Sequence, residues 1–158
     1  MPAPQIVSYD PAWPSLAAQW CARIRGALTD AGLFDVVCEH IGSTAVPELD
    51  AKPFIDVQVL LPEVPSEQII GAALAPWGFA RTLGSRPDSP GVSFDIPRPG
   101  SDPRHHEKQL YVRSLENADG SAQGLILHVR RADSAFADFV RRFRDWLRAD
   151  NDARAEYR

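Results

Sequence analysis

The sequence predicts a single α/β domain, in the broad sense that includes α+β, with a mixed β-sheet flanked by helices. Three observations carry that expectation. The chain has 158 residues, the length of one ordinary domain. Hydrophobic residues make up 44% of it, enough to bury a core. Stretches with apolar residues three to four apart alternate with short β-branched runs, the pattern of helices packed on strands.

The elements follow in order. After a short Ile6–Tyr9 piece, Asp10-Pro11-Ala12-Trp13-Pro14 opens a helix, because proline suits the first helical turn. Leu16, Trp20, Ile24 and Leu28 then form one apolar stripe, and Gly32 is placed to end it. Val36–Ile41 reads as a strand. Phe54–Leu61, ended by Pro62, reads as a central strand covered on both faces. A Ser-Glu pair opens a helix over Ser66–Ala75. Further strands are expected at Phe79–Leu83, Val92–Ile96, Gln109–Arg113 and Leu125–Arg130, with the turn-rich Glu116-Asn117-Ala118-Asp119-Gly120 joining the last two. The final helix runs from Asp133 to Ala149. Its pattern predicts Phe136, Phe139, Val140, Phe143, Trp146 and Leu147 on the core side, with Arg141, Arg142, Arg144 and Arg148 as a solvated face.

Charge and cysteine content narrow the function classes. With 17 Lys+Arg against 21 Asp+Glu, the net charge of −4 argues against a coat for the nucleic-acid backbone. No run approaches the roughly 20 apolar residues that span a bilayer, and Met1-Pro2-Ala3-Pro4-Gln5 lacks the layout of a secretory signal. The expectation is a cytoplasmic protein that does not engage membrane. Cys21 and Cys38 are too far apart for a CxxC unit and too few for a zinc cage or disulfide scaffold. Both read as buried small apolar residues.

The chemistry concentrates between Glu39 and Asp56. A strand ends at Gly42, where a missing side chain lets another molecule approach the backbone. Ser43 and Thr44 then offer hydroxyls and amides suited to an anion such as phosphate. Twelve to thirteen residues on, Asp56 projects from a strand on the side opposite Ile55 and Val57, where a carboxylate can hold Mg²⁺ against a phosphate chain. The competing reading makes Gly-Ser-Thr a capped turn and Asp56 a carboxylate bonded to nearby amides. His128 sits on a late strand as a rim histidine or a functional one. His40 can orient the turn or ligate a metal together with Asp56. Lys52, Lys108 and Arg113 can supply phosphate charge, whereas His105-His106 lies in a polar loop without helical partner spacing.

Read as a unit, Glu39-His40-Ile41-Gly42-Ser43-Thr44-Ala45-Val46-Pro47 with Ala51-Lys52-Pro53 and Ile55-Asp56 resembles the signature of the GrpB-like family, placed in the nucleotidyltransferase superfamily. Tyr9–Trp13, Leu127-His128-Val129 and Phe143–Leu147 extend the resemblance over nearly the whole chain. Glu48, where glycine is usual, and Leu127-His128, where many members read His-Leu-His, depart from it. The resemblance implies a nucleotidyltransferase-like mixed sheet, a Gly42-Ser43 turn on nucleotide phosphates, and Asp56 as the first acid of an Asp-x-Asp/Glu metal pair. The second acidic position is Gln58, which brings no charge. Asp95 is the candidate third carboxylate.

The resulting expectation is a protein that binds a nucleotide or another phosphorylated small molecule. Gly42, Ser43, Thr44, Lys52 and Arg113 are assigned to phosphate, Asp56 and His40 to Mg²⁺ or Mn²⁺, and Asp56 with His128 to any nucleotidyl transfer. Two alternatives stand beside it. One is a non-catalytic accessory module with a protein partner; similar domains occur fused to dephospho-CoA kinase. The other is a metal-dependent hydrolase that requires His40, Asp56 and His128 to converge.

Overall fold

A computed structural model describes residues 5–84, 91–97, 99–116 and 122–157. Helix α1 (Trp13–Asp30) has Pro14 in its first turn, and Asp10 Oδ1 accepts the Ala12 N–H at 2.8 Å just before it. Gly32, at φ 87°, closes its far end as expected. Strands β1 (Val37–Ile41) and β2 (Phe54–Leu61) follow, then helix α2 (Glu67–Leu74), the two-residue strand β3 (Ala80–Arg81), strands β4 (Lys108–Glu116) and β5 (Ala122–Arg131), and helices α3 (Ala135–Ala149) and α4 (Asn151–Tyr157).

The strands form one mixed sheet in the order β1-β2-β5-β4-β3. Only the central pair, β2 with β5, runs parallel among the described pairings. Register then decides which side chains meet. Ile55, Val57, Val59 and Leu61 of β2 join Leu125, Leu127 and Val129 of β5 and Tyr111 of β4 on one face. Against them pack Trp13, Ala17, Trp20, Ile24 and Leu28 of α1 and Ile70 and Leu74 of α2. Each fully buried aliphatic side chain there contributes about 1.5–3 kcal/mol of transfer free energy. By alternation the other face carries Glu39, Asp56, Gln58, Ile126, His128 and Arg130.

Helix α3 lies on that polar face, with Leu147 of its apolar side buried and Phe136, Val140 and Phe143 partly so, but rotated enough to bring arginines to the sheet edge. Arg141, Arg144 and Arg148 lie one above another at i, i+3 and i+7 and point at the sheet edge. Arg141 pairs with Glu39 at 2.8 Å, while Arg144 and Arg148 donate to the carbonyls of His40 at 2.9 Å and Ala45 at 2.8 Å. Phe139 and Trp146 are instead about half exposed, at 47% and 51%. Of the expected solvated arginine face, Arg144 is thus turned inward, Arg141 and Arg148 reach the sheet edge while partly exposed, and Arg142 stays in solvent. Glu39 and the outward carbonyls of edge strand β1 need donors, and an apolar stripe offers none. Leu147 and Ala153 still bury themselves against Val46 and Leu49 in a small second core.

Three further differences are local. Val92–Ile96 makes a single bridge, Phe94 to Glu107, where a strand was expected. Strand β3 is shorter than Phe79–Leu83, and α4 extends the helical end beyond Ala149. Residues 117–120 of the expected turn, and residues 1–4, lie outside the described residues.

Gly124 of β5 has no room for a side chain. A Cβ there would stand 2.9 Å from Phe54 Cε1 and 3.0 Å from the Arg113 carbonyl oxygen. Gly124→Ala is therefore expected to destabilise the protein by about 1–3 kcal/mol through overpacking. Urea unfolding midpoints, at unchanged m-value, measure this.

Candidate functional site

Gly42 starts the site. It follows β1 at φ 75°, ψ −173°, a conformation that L side chains rarely adopt, and a Cβ there would stand 2.9 Å from Asp56 Oδ2. Glycine is needed on both counts. One 3₁₀ turn, Ser43–Ala45, comes next. Thr44 is fully buried, and its hydroxyl donates to the Phe54 carbonyl at 3.1 Å. That leaves Thr44 Oγ1 to accept the His40 Nε2–H at 2.9 Å. His40 and Thr44 therefore brace the turn against β2. Burial, with Arg148 and Arg144 nearby, lowers the His40 pKa to about 4, although Asp56 pulls the other way.

This corrects two assignments. His40 pairs in register with Val57, so it leaves the sheet on the α1 face, opposite Asp56. The two do not form a joint metal site, and the convergence of His40, Asp56 and His128 required for a hydrolase does not occur. Thr44 spends its hydroxyl inside the protein and not on a ligand. A third correction concerns Arg113. It pairs with Leu125 on the helix-covered face, donates to the Trp77 carbonyl at 2.8 Å, and lies 4.5 Å from the centre of the Trp20 ring. It does not line the site.

Asp56 and His128 do come together, with Asp56 Oδ1 3.2 Å from His128 Nε2. On the other side of the ring, Nδ1 has Lys108 Nζ at 3.4 Å and Arg130 Nη2 at 3.5 Å. Both are donors, so Nδ1 is the acceptor, and the proton on Nε2 is donated to Asp56. Burial holds the His128 pKa below its ordinary value; the Asp56 bond opposes this, and the two cations add to it. His128 is a neutral orienting group with both nitrogens engaged.

Behind it lies a buried charge network. Arg130 Nε donates to Asp95 Oδ2 at 2.7 Å and Nη2 to Oδ1 at 3.2 Å, and Lys108 Nζ stands 3.2 Å from Oδ1. Asp95 is 3% exposed, so its carboxylate serves these two cations. The third-carboxylate assignment is accordingly not met. Gln58 is equally committed: its Oε1 accepts from Arg130 Nη1 at 3.1 Å, and its Nε2 donates to Glu39 at 2.6 Å and to the Ala137 carbonyl at 3.3 Å. Arg130 was not singled out from sequence, yet the signal was present. It is a cation two residues beyond His128 on an apolar strand, and so on the same face.

The open part of the site is a cavity of about 380 Å³ lined by Ile6, Ser43, Asp50, Lys52, Phe54, Asp56, Ile126 and Tyr157, with Ala51. Ser43, Lys52 and Asp56 are thus brought together as expected, with Gly42 against Asp56. His106 is buried against Ser101 at 2.6 Å, and His105 stands 3.9 Å from Asp133. Among the described residues no group of three or more His, Cys, Asp or Glu is arranged to hold a metal. A two-metal centre does not fit these residues. It needs clustered negative charge, and here Gln58 is neutral while Lys108 and Arg130 already balance the Asp95 carboxylate.

The profile of the GrpB protein family matches residues 3–158. The chain belongs to the GrpB family. It is 32% identical over 152 residues to UPF0157 protein BH1888 of Halalkalibacterium halodurans, covering 96% of this chain and 64% of that protein. A Dephospho-CoA kinase of Mycolicibacterium paratuberculosis is 28% identical over 97% of this chain but only 37% of its own length. The chain thus spans less than two thirds of either relative. Among solved structures, GrpB from Enterococcus faecalis superposes with a TM-score of 0.64 at 21% identity, over 97% of this chain and 78% of that one. The Cid1 poly (U) polymerase superposes with a TM-score of 0.52 at 12% identity, over 92% of this chain and 40% of that one. These likenesses establish a nucleotidyltransferase-like fold. No helix of the described residues is long and apolar enough to cross a membrane.

Buried and exposed ion pairs are expected to differ sharply in what they contribute to stability. Arg130→Met leaves Asp95 short of its main partner and is expected to destabilise by about 3–5 kcal/mol. Arg142→Ala, which removes an exposed pair with Asp138, should change stability by less than about 0.5 kcal/mol. Chemical denaturation of both variants tests the contrast. His40 is held neutral, so the unfolded chain takes up its proton near pH 6.5 while the folded one resists until about 4. Its contribution is complete above the unfolded value and is lost as pH falls through that window, on the order of 3 kcal/mol. His40→Gln keeps an N–H donor for Thr44 and should flatten the fall in stability between about pH 6.5 and about pH 4.

Proposed function

We propose that the chain binds a nucleotide or another phosphorylated small molecule in the cavity beside Asp56, in the cytoplasm. The observation that carries this reading is the joint lining of one cavity by Ser43, Lys52 and Asp56, next to a glycine with no room for a side chain. Lys52 supplies the positive charge and Ser43 a hydroxyl, while Phe54, Ile126, Ile6 and Tyr157 offer apolar surface for the remainder of the ligand. Asp50 and Asp56 leave the lining with more negative than positive charge, so a phosphate needs a counter-ion there. Asp56 supports one Mg²⁺ or Mn²⁺, completed by the ligand's own phosphates and water, since Mg²⁺ is commonly held by one or two carboxylates plus phosphate. The ion would shield the phosphate from the two carboxylates. The nucleotidyltransferase-like fold is consistent with a phosphate ligand. Gln58 and Arg130 argue against nucleotidyl transfer by two metals.

A thermal-shift series with nucleoside triphosphates, coenzyme A precursors and inorganic phosphate, each with and without Mg²⁺ or Mn²⁺, tests the reading. A ligand at a hundred times its Kd stabilises by about 2.7 kcal/mol. Asp56→Asn is expected to abolish the metal-dependent part of the shift, and Lys52→Met to weaken binding about tenfold, near 1.4 kcal/mol. A shift unchanged in both variants would refute this site.

A second reading, a module that docks on another protein, is favoured by the outward aromatic residues Phe139, Trp146 and Tyr157, each about half exposed. Under that reading Phe139→Ser with Trp146→Ser removes partner retention and leaves any ligand shift intact.

A further inference from the structure

Cys21 and Cys38 are the two cysteines of the chain. Seventeen residues apart, they were expected to be separate buried residues. The fold puts them together. Cys21 lies on the sheet-facing stripe of α1 with Ala17, Trp20 and Ile24, and Cys38 lies on β1 opposite Val59, on the face that α1 covers. Their sulfurs are 2.9 Å apart, within about 0.9 Å of the S–S bond length of about 2.05 Å. Cys21 is buried, whereas Cys38 is half-buried.

From this geometry we propose that Cys21 and Cys38 form a reversible intramolecular disulfide, a covalent modification site that fastens α1 to edge strand β1. The thiol of Cys38 donates its hydrogen bond to Cys21. That bond, with Arg25 nearby, brings the Cys21 thiol below its ordinary pKa against the opposing effect of burial, while the same bond and burial push Cys38 up. Cys21, the thiol that this hydrogen bond makes easier to ionise, is taken as the attacking sulfur and Cys38 as the resolving thiol. A hydroperoxide is the oxidant. The Cys21 sulfur attacks one oxygen of hydrogen peroxide, the O–O bond breaks, and the departing hydroxide takes up the proton given up by the Cys21 thiol and leaves as water, with Cys21 now a sulfenic acid. The Cys38 sulfur attacks the Cys21 sulfur, the S–O bond breaks, and the hydroxyl leaves as a second water with the Cys38 proton. With hydrogen peroxide, two thiols lose two electrons and two protons, and one peroxide becomes two waters.

The bond lies at a sensitive place. Strand β1 has one strand neighbour, β2, and its last residue, Ile41, leads directly into Gly42 and the braced turn. A link to α1 closes a short loop and restrains the unfolded chain.

The test treats the folded, reduced protein with stoichiometric hydrogen peroxide. It reads intact mass, free thiols and a non-reducing peptide map. The expected result is a monomer lighter by two hydrogens, with no free thiol, a Cys21–Cys38 linked peptide, and a raised thermal midpoint that dithiothreitol returns to its starting value. Cys21→Ser and Cys38→Ser should each retain the fold and lose the mass change and the midpoint shift. Retention of both thiols under these conditions would overturn the proposal. So would disulfide-linked dimers, or oxygen addition without a cross-link. Cys38→Ala provides a second resolving-thiol variant, in which Cys21 should halt at the sulfenic acid, trapped by dimedone; failure to trap it reverses the assigned roles.

Discussion

The ion pair of Arg130 with Asp95 holds the polar half of this molecule together. Both groups are almost wholly buried, where an unpaired charge is expensive, so each fixes the other. Asp95 comes from a segment whose described residues make one isolated bridge, Phe94 to Glu107, and this pair anchors it over β5. Through its remaining donors Arg130 reaches Gln58 and the His128 ring, and Lys108 completes the Asp95 carboxylate. The orientation of His128, and with it one oxygen of Asp56, is thus set from behind by two cations.

The same logic explains the attitude of α3. A helix with aromatic residues along one side would ordinarily turn them inward. Here the sheet face beneath it presents Glu39 and the amide of Gln58, and the adjoining edge presents carbonyls from His40 and Ala45. Arginine can satisfy these groups while its methylene stem packs. Unmade hydrogen bonds would cost more than exposing part of two rings, so charge won over hydrophobic periodicity.

For function, the consequence is a site with its positive charges built in. In a site that works through two metals, acidic residues gather cations from solution. In this chain the corresponding face carries Lys108 and Arg130 as covalent cations, with Gln58 as a neutral spacer between Arg130 and Glu39. Asp56 is left as the carboxylate of that network that meets the open cavity. On a nucleotidyltransferase-like fold, this face thus carries cations paired with Asp95 where a two-metal site would need clustered acid.

Much of the fold was legible in the sequence because it rests on local periodicity. The Trp20–Ile24–Leu28 stripe, the β-branched run from Phe54 and the Gly32 stop each encode their element within a few residues. Gly42, Ser43, Lys52 and Asp56 were also legible, since all four lie within fifteen residues and an ordinary strand alternation aims Asp56 back at the turn. What lay out of reach depended on long-range register. His40 and Arg113 looked equally eligible for the site, but their faces follow from pairing with Val57 and Leu125, and a shift of one residue would reverse both. Asp95 finds Arg130 across thirty-five positions, and Cys21 finds Cys38 across a helix-to-sheet contact. Sequence by itself determined the elements and the motif, because those arise from neighbouring residues. The tertiary structure alone decided which charges neutralise one another and which face the open cavity, because burial and pairing are properties of the packed chain.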